Sequence, residues 1–228
     1  LGDVYKRQGI YGAAFNIYNI MLVLSSYGLP MAVSKLVSAR FTKRRYKSAA
    51  KVLRCSLMVA VCTGGIAALL VFFGASFIEN VIYGGGLPGL AIPLRILAPT
   101  IFLVAILGVI RGFFQGQSTM IPTAVSQILE QIVNAIVSIA AGYGMMKAFA
   151  SSPDVAAYGA AGSTLGTAMG ALTAVLFMGF LYAVYTPTFN RLKRKDRHTE
   201  NQSTGQICKI IIYTMTVSYT HLTLPTKA

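Results

Sequence analysis

Long apolar stretches, separated by short polar or glycine-rich turns, recur along this chain. They occupy about 11–32, 53–78, 90–110, 124–146 and 156–185. Each is long enough to cross the hydrocarbon core of a bilayer, which takes roughly 20 helical residues. A further apolar run begins at Ile207. The pattern predicts an all-α fold, a polytopic transmembrane helix bundle. Gly28-Leu29-Pro30 interrupts the first stretch, and the helix is expected to resume at an angle through Ser34 and Lys35 towards a basic loop.

Polar residues inside the apolar runs carry the remaining information. Glu130 is the one acid of the six in the chain that falls within a span, and Gln127, Gln131 and Asn134 accompany it. At 3.6 residues per turn these four share an arc of roughly 100°. A carboxylate at that depth costs on the order of 3 kcal/mol to insert, so it faces a cavity or a partner rather than lipid. Three roles fit Glu130: an inter-helix hydrogen bond in neutral form, a cavity lining for binding or gating, or a proton or cation carrier. Arg95, between Pro93 and Pro99, lies about 7 Å from the outer end of its span, and Glu130 about 12 Å from the opposite end. Those depths favour a shared wet cavity over a tight pair; snorkelling of Arg95 to headgroups is the alternative. Lys35 likewise either snorkels or joins the cavity. Asn16 and Asn19 form a polar stripe on the first span, directed at the bundle or bonded to neighbouring helices. Gly162, Gly166, Gly170 and Ala174 repeat every four residues, a row that permits close helix packing.

Composition agrees with the membrane reading: 55% of the residues are hydrophobic and 11% charged, against about 25% charged in soluble domains. The net charge of +14 suggests nucleic acid until its distribution is seen. Basic residues crowd the loops 40–54 and 191–197, which an even number of spans separates, while the opposite loops are nearly free of them. That asymmetry follows the positive-inside rule and makes the basic loops cytoplasmic; a nucleic-acid surface needs no such alternation. Three cysteines, Cys55, Cys62 and Cys208, lack metal-site spacing. The 84–89 glycine loop has no phosphate-binding motif and reads as a flexible turn. No histidine or acid cluster suits an enzyme acting on lipid phosphates. No metal or cofactor is expected.

The two ends share an unusual relation. Residues 3–8 can be encoded by GATGTGTATAAGAGACAG, and its reverse complement, read from the third base, encodes residues 217–221 and opens a leucine codon. That DNA word resembles a transposon sequencing adaptor. The expected organisation is therefore 1–8 adaptor translation, 9–186 transmembrane lobe, 187–206 basic cytoplasmic linker, 207–215 start of the next span, and 216–228 adaptor translation.

Four segments carry a family resemblance: GIYGAAFNIYNIMLVLSSYGLPMAVSKLVSAR, LRILAPTIF, IRGFFQGQSTMIPTAVSQILEQIVN and YGAAGSTLGTAMGAL. They resemble the stage V sporulation protein B branch of the polysaccharide exporters, which is similar to the MurJ lipid II flippases and lies in the superfamily of multidrug and toxin extruders. The resemblance implies a two-lobe, alternating-access transporter of the bacterial plasma membrane, of which this chain is an amino-terminal-lobe fragment lacking the carboxy-terminal lobe. It implies export of undecaprenyl-linked cell-wall or polysaccharide precursors, with membrane lipids as surroundings and a lipid-linked oligosaccharide diphosphate as ligand. Cavity cations that would bind the diphosphate are, by position, Arg95 and Arg111, with Lys35 weaker. The alternative within the superfamily is a drug or metabolite-cation antiporter, which would prefer acids in its cavity.

Overall fold

The computed structural model describes residues 2–84, 86–152, 154–196 and 203–223. Among these, every regular element is a helix: α1 (Gly2–Ser25), α2 (Gly28–Thr42), α3 (Tyr46–Phe77), α4 (Ala91–Gln115), α5 (Ile121–Ala148), α6 (Val155–Lys195) and α7 (Thr204–Thr223). Five spans long and apolar enough for a membrane follow from them, α1 and α2 together forming one. The chain is an all-α polytopic bundle. The terminal segments 2–8 and 216–223 continue α1 and α7 without a break in the helices.

The first break lies where the glycine and proline require it. Helix α1 stops at Ser25, and α2 restarts at Gly28 with Pro30 in its first turn, where a missing N–H costs nothing. Helix α2 then lies against α4 through a second row of small residues. A Cβ on Gly112 would stand 2.6 Å from the Pro30 carbonyl oxygen, and one on Gly116 would stand 2.7 Å from Val37 Cβ. Gly108 meets the Pro30 ring in the same row. The row Gly162, Gly166 and Gly170 does the same for α6 against α5: Cβ atoms there would run into the backbone at Ala141, Asn134 and Glu130. Between membrane helices, where burial against lipid gives little, such close packing supplies the attraction. At Gly28 the neighbour is α7, whose Met215 carbonyl oxygen would lie 2.9 Å from an added Cβ.

The two ends of the bundle differ in chemistry. At one end the α2–α3 turn, with Arg44 in the left-handed region (φ 54°), meets the end of α6. Asp196 there is buried and accepts a hydrogen bond from the Lys47 backbone N–H at 2.8 Å, so the two basic loops are tied together. Helix α6 continues through residue 187, where the polar linker is expected to begin, as far as Lys195. Helix α6 passes through Pro187 because Phe189 is buried among Phe41, Phe113 and Tyr185. Thr186 Oγ1 also donates to the Tyr182 carbonyl at 2.7 Å, occupying an acceptor in the turn that the proline loosens. At the other end α3 widens into a π-turn (Ile78–Ile82). That turn presents Glu79, whose carboxylate accepts from the N–H groups of Gly89 and Ala91 at 3.0 and 2.7 Å. The glycine loop is thus pinned onto the start of α4 rather than left loose.

Burial is unequal among the spans. Of the most apolar stretch of α4, 56% is buried; in α5 the figure is 6%. Helix α4 is the central element, and α5 is held chiefly along its seam with α6. The outer faces carry Phe73, Leu70, Ile132, Ile139 and Phe180, exposed apolar side chains suited to lipid or to a further helical partner.

Candidate functional site

A cavity of about 340 Å³ opens between α1, the α1–α2 break, α4 and the start of α5. It is lined by residues that recur at helical spacing on each element. Tyr18, Leu22 and Ser26 come from α1 and the break; Gly108, Arg111 and Gln115 from α4; Thr123, Gln127 and Glu130 from α5. Gly108 and Gly112 allow Pro30 against α4, which closes the cavity from the α2 side. The α4–α5 turn is tight enough to need Ser118 at φ 61°, and Pro122 then starts α5 beside the last turns of α4.

Arg111 is the centre of this site. Its Nη2 donates to Glu130 Oε2 at 2.8 Å, and its Nε donates to Ser126 Oγ at 2.9 Å. Ser126 passes the chain on, donating to the Thr123 carbonyl at 2.8 Å. The side chains of Arg111 and Glu130 are 14% and 21% exposed, so the pair is largely withdrawn from solvent. It is also the ion pair found among the described residues. A guanidinium has five N–H donors, and these bonds use two of them. Thr123 Oγ1 is buried in the same wall with no hydrogen-bond partner. An arrangement of one clamped arginine, an orphan hydroxyl and an amide suits an anion with several acceptor oxygens.

The residues singled out in the sequence separate in space. Arg111, Glu130 and Gln127 come together in the cavity. Arg111 turns inwards, because Glu130 and Ser126 lie one helix away. Asn134 belongs to the α5–α6 seam, where its Oδ1 is 3.0 Å from Ser138 Oγ, a hydroxyl that also donates to the Ser163 carbonyl at 2.8 Å. Gln131 is exposed beyond the cavity wall. Arg95 is exposed and donates to Ser76 Oγ at 2.9 Å. It lies about 24 Å along α4 from Arg111 at 1.5 Å per residue, so the cavity expected to join it with Glu130 is absent among the described residues. Lys35 and Asn16 are exposed and Asn19 half-buried, all outside the cavity lining. Tyr18, Thr123 and Ser126 were not anticipated. The signal for Tyr18 was its i, i+4, i+8 register with Leu22 and Ser26.

Comparison with known proteins fits this architecture. A family model described as polysaccharide biosynthesis protein matches residues 7–221, most of the chain. The chain belongs to that family. Within it, the chain is 34% identical over 146 residues to the lipid II flippase MurJ of Bacillus subtilis (strain 168), covering 61% of this chain and 27% of that protein. Stage V sporulation protein B of the same organism is 29% identical over 172 residues, covering 75% of this chain and 31% of the relative. The uncharacterized membrane protein YabM, also from that organism, is 27% identical over 217 residues, 94% of this chain and 38% of its own length. The chain thus spans between about a quarter and two fifths of the length of the curated relatives it matches. No solved structure matches it significantly.

Proposed function

We propose that this chain forms part of one lobe of a flippase or exporter that moves undecaprenyl-linked cell-wall or polysaccharide precursors from the inner to the outer leaflet of the bacterial plasma membrane. Transport proceeds by alternating access, and no bond is made or broken. The basic end, where Asp196 ties the two cationic loops together, faces the cytoplasm, as the positive-inside rule requires. The carboxy-terminal lobe supplies the opposite cavity wall and covers the open faces of α5. Segments 1–8 and 216–228 are adaptor translation and take no part.

The observation that carries this reading is Arg111, a cation held within a membrane cavity with donors to spare. A charge placed there at such cost marks a substrate path, and a diphosphate is the part of a lipid-linked sugar that a guanidinium recognises. Gln127 offers a further donor to the same ligand, and Tyr18 an apolar wall with a polar tip. The test is rescue of cells depleted of their lipid II flippase by the full-length protein carrying this sequence. The unaltered protein should rescue, and Arg111→Ala should fail while inserting normally. Normal rescue by Arg111→Ala would remove the cavity from the transport path.

A further inference from the structure

We infer that Glu130 is a built-in competitor for the substrate's phosphate: it occupies Arg111 when the cavity is empty and must leave the guanidinium when an anion binds. This rests on the reading that Arg111 binds substrate phosphate, and it adds how that site is kept from holding its ligand too tightly.

The geometry defines which part of Arg111 is at stake. Ser126 Oγ takes Nε at 2.9 Å, and its own proton is directed to the Thr123 carbonyl, so this side of the guanidinium is fixed by the first turns of α5. Phosphates, like carboxylates, prefer two neighbouring N–H groups of an arginine at once. Ser126 and Glu130 together take the Nε–Nη2 side, and the remaining fork is the Nη1–Nη2 edge, which shares with that side the Nη2 that Glu130 Oε2 holds at 2.8 Å. A phosphate on that edge would bring two anions into contact in a site shielded from solvent, which favours expulsion of one of them.

Two features make the exchange possible rather than merely blocked. Helices α4 and α5 touch little apart from their turn and this pair, so Glu130 is not locked by packing on the cavity side. The cavity also holds groups that an arriving anion can use. Thr123 is buried and its Oγ1 lacks a hydrogen-bond partner, and Gln127 lines the same wall. In this scheme Ser126 keeps the guanidinium plane in place while Glu130 and phosphate compete for Nη2. The returning carboxylate then displaces the ligand, which a transporter needs and a storage site does not.

The experiment titrates inorganic pyrophosphate into the full-length detergent-purified protein by calorimetry. Without its competitor, Glu130→Gln should bind about tenfold tighter than the unaltered protein, the scale of one charge-assisted hydrogen bond. Glu130→Asp keeps the charge that Arg111 needs in order to fold in place but shortens its reach. It should bind about threefold tighter, and it serves if the glutamine variant does not fold. Arg111→Gln should bind nothing in either background. If Arg111→Gln loses binding while neither Glu130 variant gains any, the competitor role is overturned and the proposed function stands. Undiminished binding in Arg111→Gln, or no binding by any variant, overturns the site itself. Farnesyl diphosphate, titrated in parallel, should bind tighter than pyrophosphate to Glu130→Gln; equal affinities would assign the site to a free phosphate instead of a lipid-borne one.

Discussion

Arg95 and Arg111 are each the fifth residue from an end of α4, and their surroundings send them in opposite directions. Around Arg95 the helix is sealed by fully buried Leu90, Leu94 and Leu97, so the guanidinium has nowhere to go but outwards to Ser76. Around Arg111 the glycine row brings α2 close, and the first turns of α5 present Ser126 and Glu130. Residue type and distance from the helix end are the same. The difference lies in what the neighbouring helix offers, and it separates an exposed arginine from a cavity cation.

That contrast is best broken by mutating both ends alike. Arg111→Ala should reduce precursor export at least about tenfold, since it removes the cation and its charge-assisted hydrogen bonds to the ligand, whereas Arg95→Ala should stay within about twofold. Accumulation of lipid-linked precursor in depleted cells measures both, and equal losses would erase the distinction. Next in size is the packing that delivers Arg111 to its site. Gly112→Ala should lower stability by about 1–3 kcal/mol, because its Cβ would press on the Pro30 backbone. Gly74→Ala, with nothing within 4 Å of the new atom, should not lower it; thermal melting in detergent compares the two. A smaller effect separates polarity from charge at Glu130. Glu130→Gln should keep roughly threefold more export than Glu130→Leu, and equal loss in the two would point to an essential titrating acid. Smallest of all is Ser76→Ala, which should change stability by less than about 0.5 kcal/mol; a larger shift in the same melting assay would give Arg95 a structural role after all.

Much of the fold could be read along one dimension. Bilayer thickness dictates the length of an apolar run, so the five spans, the break before Pro30 and the α6 glycine row follow from the sequence with little loss. The Gly108, Gly112 and Gly116 row has the same four-residue spacing in the sequence, but the polar residues interleaved with it mask the packing signal. The site was legible only in part. Depth along a helix places Glu130 in the first half of its span, but which residue meets it depends on azimuth, and azimuth depends on the neighbour. Depths alone suggest a wet cavity shared by Arg95 and Glu130, whereas four and a half turns of α4 place Arg111, not Arg95, beside the start of α5. The extent of α6 was missed for a related reason: Pro187 reads as a stop until Phe189 is seen to have an aromatic pocket waiting for it.

The contact between Gly28 and Met215 has a mechanical side. Helix α7 rests with its backbone against the residue that restarts the chain after the α1–α2 break. Two residues further on is Pro30, which walls the cavity and touches the α4 glycine row. A push on α7 therefore reaches the cavity wall through a lever about half a helical turn long. A methyl group at Gly28 would shim that lever, altering how motion is passed on while leaving every polar group of the cavity in place.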